Sequence, residues 1–335
     1  LRGCLVTTDA EVSSSTRTFS QAISDALDEE LERDDTVFVW GEDVGVYGGI
    51  YGATRGLLEK HGSERVVDTP ISETFIVGAG LGAALTGLRP VVELQSGGYF
   101  GIAMNELYNN VARWRYMHGG KFKVPMVVRL PEGAKGAGQE HDVSPEALFL
   151  SAFGAQVVIP STPADAKGLL KSAIRDDRPV LFFEHAVLYS TRGEIPSGDH
   201  LVPLGVADVK RPGTDVTVIA WSRMVVEALR AAEELAGEGI EIEVVDPRGL
   251  RPLDTDTILE SVAKTGRVVI AHEAQKTGGA GAEMAAIIAE DALDCLEAPI
   301  VRVASKDVTL PQSRHLQKFI IPDASHVVNA VRSIV

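Results

Sequence analysis

Two ionisable residues stand where a chain could use them to move protons. Glu73 closes the run Asp68-Thr69-Pro70-Ile71-Ser72-Glu73 and opens a stretch, 74–88, made almost wholly of small and apolar residues. A helix that apolar is expected to be buried on all sides. Its N-terminal carboxyl then lies inside the protein, where an ionised group needs a partner or a cavity. The plainer reading has Glu73 complementing the helix dipole and Ser72 capping the helix. His141 ends a glycine-rich run that starts at Gly133 and leads to Ser144-Pro145-Glu146, a helix start. A mobile loop delivering one imidazole suits proton transfer, although alone it also reads as an exposed loop histidine. Between them, Glu93-Leu94-Gln95-Ser96-Gly97-Gly98-Tyr99 follows a strand. Its glycines admit close approach and its tyrosine could stack on a flat ring; a tight turn with Tyr99 in the core explains it equally well.

The elements that must position these residues alternate. Phe19, Ile23, Leu27 and Leu31 recur every four residues and predict an amphipathic helix. Short apolar runs at 37–40, 65–68, 90–94, 125–129, 156–159 and 180–184 predict buried parallel strands, with helical or glycine-rich stretches between them. A second series follows: strands at 215–220, 241–246, 267–271 and 300–303, helices at 224–235 and 282–291. The fold class is α/β, two domains, each a mostly parallel sheet flanked by helices. The expected division is a disordered tail over 1–17, a first domain over 18–190, a proline- and glycine-rich linker over 191–213, and a second domain over 214–335. In such sheets ligands sit at the carboxyl ends of strands, where Glu73, Gln95, Tyr99 and His141 fall.

The bulk numbers exclude several function classes. At 335 residues with 45% hydrophobic and 24% charged residues, the chain is globular. A net charge of −15 without a concentrated basic patch argues against nucleic acid, and no apolar run is long enough to span a bilayer. Two distant cysteines, Cys4 and Cys295, fit neither a disulfide scaffold nor a metal site, so the cytoplasm is expected. Gly78-Ala79-Gly80-Leu81-Gly82-Ala83 matches a dinucleotide pattern, but the unit from 74 to 94 is too short to hold a strand, helix and strand. Its glycines are read as close-packing positions.

Together these segments resemble the β subunit of the thiamine-diphosphate-dependent 2-oxoacid dehydrogenases (pyruvate, branched-chain and acetoin types), within the wider transketolase family. The resemblance rests on an ordered set over roughly 18–335: Gly41-Glu42-Asp43-Val44-Gly45, the run ending at Glu73, Glu93-Leu94-Gln95, Arg115-Tyr116-Met117, His141 with Ser144-Pro145-Glu146-Ala147, Val245-Asp246-Pro247-Arg248, Arg251-Pro252-Leu253-Asp254 and His272-Glu273-Ala274. It implies a pyrimidine-binding domain and a transketolase C-terminal domain. Glu73 would hydrogen-bond the cofactor's aminopyrimidine, Tyr99 would stack on that ring, and Gln95 and Ile71 would lie beside it. His141 would assist acyl transfer to the lipoyl group of a dihydrolipoyl acyltransferase. The relatives hold magnesium and the diphosphate with Gly-Asp-Gly, which this sequence lacks. The resemblance therefore implies an α subunit carrying that motif, in a heterotetramer with two copies of each chain. A potassium ion near Asp176 occurs in some relatives, and Arg178 departs from their pattern.

The implied reaction is oxidative decarboxylation of a 2-oxo acid. Cleavage of acetoin by the same fold, or a non-catalytic scaffold, are the alternatives. Two further departures stand out. His141-Asp142-Val143-Ser144 replaces a His-Ser-Gln-Ser run, and Ser96-Gly97-Gly98 replaces a bulkier turn. They suggest that Asp142 acts on the imidazole and that the glycines widen the pocket for a bulky substrate.

Overall fold

The computed structural model describes residues 14–335; residues 1–13 of the expected tail lie outside them. Ser14–Thr18 are not tail but strand β1. The alternation of polar residues hid it: both it and its antiparallel partner lie at the surface, so neither carries an apolar stripe.

After β1 come α1 (Phe19–Arg33), β2 (Val37–Gly41), α2 (Leu57–His61), β3 (Val66–Asp68), α3 (Glu73–Leu85) and β4 (Arg89–Glu93). Then follow α4 (Trp114–Met117), β5 (Val127–Glu132), β6 (Gln156–Val158), α5 (Pro163–Arg175), β7 (Val180–His185) and β8 (Arg192–Pro196), the partner of β1. The second half has β9 (Asp208–Arg211), β10 (Val216–Ala220), α6 (Arg223–Ala236), β11 (Ile242–Asp246), β12 (Gly249–Arg251), α7 (Thr255–Thr265), β13 (Val268–Gln275), α8 (Ala280–Asp291), β14 (Val301–Ser305), α9 (Arg314–Gln317) and α10 (Ala324–Arg332).

One sheet runs β12-β6-β7-β5-β4-β2-β3 and the other β14-β13-β10-β11-β9. Both are parallel except at one edge, where β12 and β9 pair antiparallel. The expected linker over 191–213 thus contains β8 and β9. The division is also less clean than the sequence suggests, because β12, from the second half, completes the first sheet. Its Gly249 lets the backbone lie against β6, where a Cβ would meet the Val157 carbonyl at 3.1 Å. A shared core reinforces the join: Val157, Leu181 and Phe183 of the first sheet pack in one cluster with Ile219, Trp221, Val245 and Leu250 of the second half. The outer faces are covered by α1 and α5 on one side and by α6 and α10 on the other. In α1 the four predicted apolar residues are all buried.

α3 departs from expectation. Ile76, Val77, Gly80 and Leu81 are buried, but Phe75 is 53% exposed and Ile71, just before the helix, is 82% exposed. Close packing holds at Gly80 alone, where a Cβ would come within 2.8 Å of both Met126 and Val92; at Gly82 it would meet nothing. One face of an apolar helix is uncovered, because among the described residues no element lies over it.

Candidate active site

Strand register gathers the site. Gly41 of β2 lies beside Glu93 of β4, Glu93 beside Arg129 of β5, and Glu132 of β5 beside His185 of β7. The loops leaving these carboxyl ends therefore meet over one edge of the sheet. Glu73 is the first residue of α3 and is buried, 5% exposed. Among the described residues its carboxylate has no hydrogen-bond partner. The Ser72 side chain does not cap the helix. Burial, and then the charge of Glu73, push the Glu42 carboxyl above its ordinary range, against the Ser72 amide that favours its ionised form.

Hydrogen bonds tie the loops into one unit. Thr74 Oγ1 donates to the Ile102 carbonyl at 2.9 Å, fastening the start of α3 to the turn that carries Tyr99. Gln95 Nε2 donates to Asp43 Oδ2 at 3.0 Å, and Asp68 accepts from the amides of Gly45 at 2.6 Å and Val46 at 3.0 Å. Tyr99 and His141 meet edge to face, with ring centroids 5.4 Å apart and the phenol oxygen 3.4 Å from Nε2. The tyrosine is therefore half-buried against the imidazole and not part of the core.

The Asp142 carboxylate does not bond the His141 ring. It is 2% exposed and accepts from the amides of Lys135, Gly136, Ala137 and Gly138 at 2.9–3.2 Å, and from Gln317 Nε2 at 2.7 Å. It folds the loop around itself, so the imidazole is aimed by backbone geometry. The glycines after Gln95 do not widen a pocket either. A Cβ on Gly98 would fall 1.7 Å from the Glu140 carbonyl, and one on Gly97 would fall 3.1 Å from that of Pro131. Chain fills the space, and the two loops pack only because those side chains are missing.

Three groups of buried charges support the site, and none was apparent in the sequence. Arg129 bridges Glu93 and Glu184, and Glu184 also accepts from the Tyr189 hydroxyl at 2.5 Å. Glu273 accepts from His185 Nε2 at 3.0 Å, Arg223 Nη1 at 3.0 Å and the Ala134 amide at 2.6 Å; burial opposes its ionisation, but these partners hold its carboxyl down at about 2. Glu132 and Glu146 flank the His141 loop and each has one oxygen without a partner. Burial pushes Glu146 up to about 7 and Glu132 well above its ordinary range, the latter also by the charge of Glu146. The clusters join residues distant in sequence, so no local pattern announces them.

Potassium does not fit at Asp176. The carboxylate is already paired with Arg178, through Nε at 3.1 Å and Nη2 at 2.8 Å. Arg89 Nη1 donates to the carbonyls of Ile174 and Asp176, both at 3.0 Å, and Lys123 pairs with Asp177 at 2.6 Å. Three side-chain cations neutralise this turn.

Around Glu73 the surface is apolar and open: Val46 is 84% exposed, and Tyr47, Ile50, Ile71, Phe75 and Ile102 are exposed with it. An uncovered apolar rim around a buried carboxylate marks a face made for a ligand or partner.

Comparison with known proteins decides the family. The transketolase pyrimidine-binding domain matches residues 15–191 and the transketolase C-terminal domain matches 205–327. The chain is 47% identical over 319 residues to the pyruvate dehydrogenase E1 component subunit beta of Bacillus subtilis, covering 95% of this chain and 98% of that one. The chain belongs to the family of 2-oxoacid dehydrogenase E1 β subunits. The 2-oxoisovalerate dehydrogenase subunit beta of the same organism is 45% identical over 323 residues, 96% of this chain and 99% of the relative. Proteins of this E1 β family are subunits of oxidoreductases that act on 2-oxo acids. Among solved structures, a split-gene transketolase described as an inactive beta4 tetramer superposes with a TM-score of 0.79 at 26% identity, covering 94% of this chain and 97% of that one.

Proposed function

We propose that this E1 β chain supplies one half of a thiamine-diphosphate site and that a separate α subunit supplies the other. The reaction is oxidative decarboxylation of a 2-oxo acid, with transfer of the acyl group to a lipoylated dihydrolipoyl acyltransferase. One observation carries the reading: Glu73 is a buried carboxylate without a hydrogen-bond partner among the described residues, set on an open apolar rim. An unpartnered buried acid is costly, and an aminopyrimidine nitrogen is the partner its position suits.

In that arrangement Glu73 holds a proton at the pyrimidine nitrogen. Tyr99 and the exposed Ile71 border the ring, and Gln95 is oriented by Asp43. Bound thiamine diphosphate supplies the carbanion chemistry that removes carbon dioxide from the acid. His141, held beside Tyr99 by the loop around Asp142, is placed to pass a proton to the departing lipoyl sulfur. Magnesium and the diphosphate belong to the α subunit's Gly-Asp-Gly in an α2β2 assembly, and potassium has no part. The cytoplasmic setting goes with this reading; among the described residues no helix is long and apolar enough to cross a membrane.

The test is Glu73→Gln in the assembled enzyme. Loss of decarboxylation by at least about a hundredfold, the lower end for a general acid–base group, with assembly and melting temperature unchanged, is expected. Turnover within a few-fold of the parent would sink the assignment.

A further inference from the structure

Residues scattered through the sequence gather into a basic groove beside the His141 loop. Lys135, Arg223, Arg314 and Lys318 line one cavity of about 330 Å³, and Lys135 and Arg314 also line an adjoining one of about 520 Å³ that reaches Tyr51. In a chain of net charge −15 this is a local reversal of sign. No basic run marks it in the sequence, because the four come from a loop, the start of α6, α9 and the turn after it.

The cations are largely uncompensated. Among the described residues no carboxylate lies within ion-pair distance of Lys135, Arg314 or Lys318. Arg223 is shared between Glu273 and Glu227. Asp323 lines the same cavity, its Oδ1 accepting from the Ser325 amide at 3.0 Å and from His326 Nδ1 at 2.8 Å, and sets one carboxylate against the four cations. Lys135 is half-buried, its ammonium 5.5 Å from the Tyr51 ring centroid. Desolvation lowers its affinity for a proton, only partly offset by Asp142 and Glu132. Like charges held together in a cleft repel one another unless an anion enters, and a cleft of one sign concentrates such anions.

We propose that this groove binds a small, multiply charged oxyanion of the phosphate class. Cations arriving from several elements suit a tetrahedral group with charge on every side, and the volume admits a phosphate or diphosphate. The groove is also part of the clamp on the catalytic loop. Arg314 Nε donates to the Lys135 carbonyl at 2.7 Å, Lys135 Nζ donates to that of His141 at 3.1 Å, and Gln317 reaches Asp142. An oxyanion bridging Lys135 to Arg314 and Lys318 ties the His141 loop to α9 and stiffens it. Binding of an anion here does not require the 2-oxo acid chemistry proposed above.

The experiment is a thermal-unfolding titration of the full chain with pyrophosphate, inorganic phosphate and ADP, against potassium chloride at matched ionic strength. A saturable rise of a few degrees with at least one phosphate compound, lost in Lys318→Gln, is expected. The exposed Lys318 has no ion-pair partner among the described residues, so that variant should fold normally; Arg314→Gln provides a second, independent loss. A shift with inorganic phosphate supports free phosphate as the ligand, and a shift with ADP alone supports a phosphate ester. No shift beyond the salt control, or one that survives in both variants, overturns the site.

Discussion

Asp142 shows how much of a site can depend on a residue that does no chemistry. Its carboxylate collects four backbone amides and Gln317. Removing it unpairs four part-buried amides and the buried Gln317 amide; a fully buried donor left so costs about 1–3 kcal/mol, and the part-buried ones less. Asp142→Ala should therefore lower the melting temperature and make the segment 133–142 sensitive to limited proteolysis. Because it acts by aiming His141, acyl transfer to lipoamide should fall at least tenfold. Decarboxylation measured with an artificial electron acceptor should stay close to the parent's. Equal losses in both assays would place Asp142 in the decarboxylation step instead.

Among the elements, the segment from the end of β5 to the 3₁₀ turn at Glu146–Phe149 is poised on two acids, Glu132 and Glu146. Around them lie Glu273 and His272 of β13, His185 of β7, and Trp221, Ser222 and Arg223 at the start of α6. Burial raises both carboxyls in the folded state, so folding favours their protonated forms. That stability is complete below the ordinary carboxyl range near 4.5 and is lost as pH rises through about 7. Glu146→Gln should flatten the decline in urea midpoint between pH 5 and 8; an unchanged slope would show that another group titrates there. Periodicity predicted the strands and helices that carry the site, because buried parallel strands and amphipathic helices leave strong local signals. It could not predict β1 and β8, whose faces are polar, nor β12, whose partner lies about 90 positions away in the chain. Glu73, Gln95, Tyr99 and His141 were legible as types at strand ends. The use of Asp142, the packing against Gly98 and the cation-filled turn at Asp176 depend on through-space neighbours.

At the scale of the whole molecule, the two sheets share one core and leave one apolar face open around Glu73. Arg89, Lys123 and Arg178 neutralise the Asp176-Asp177 turn from within. Melting temperatures in potassium and sodium chloride at equal ionic strength should therefore agree, whereas Arg178→Asn should acquire a potassium-dependent rise. A potassium effect in the parent chain would contradict the built-in replacement. The central claim is that the catalytic site is divided between two chains. The direct measurement is thiamine-diphosphate-dependent decarboxylation of a series of 2-oxo acids while an α subunit bearing Gly-Asp-Gly is titrated into this chain. Activity absent from either chain alone, rising to a plateau at one α per β, is the predicted result. Turnover by this chain alone would contradict it.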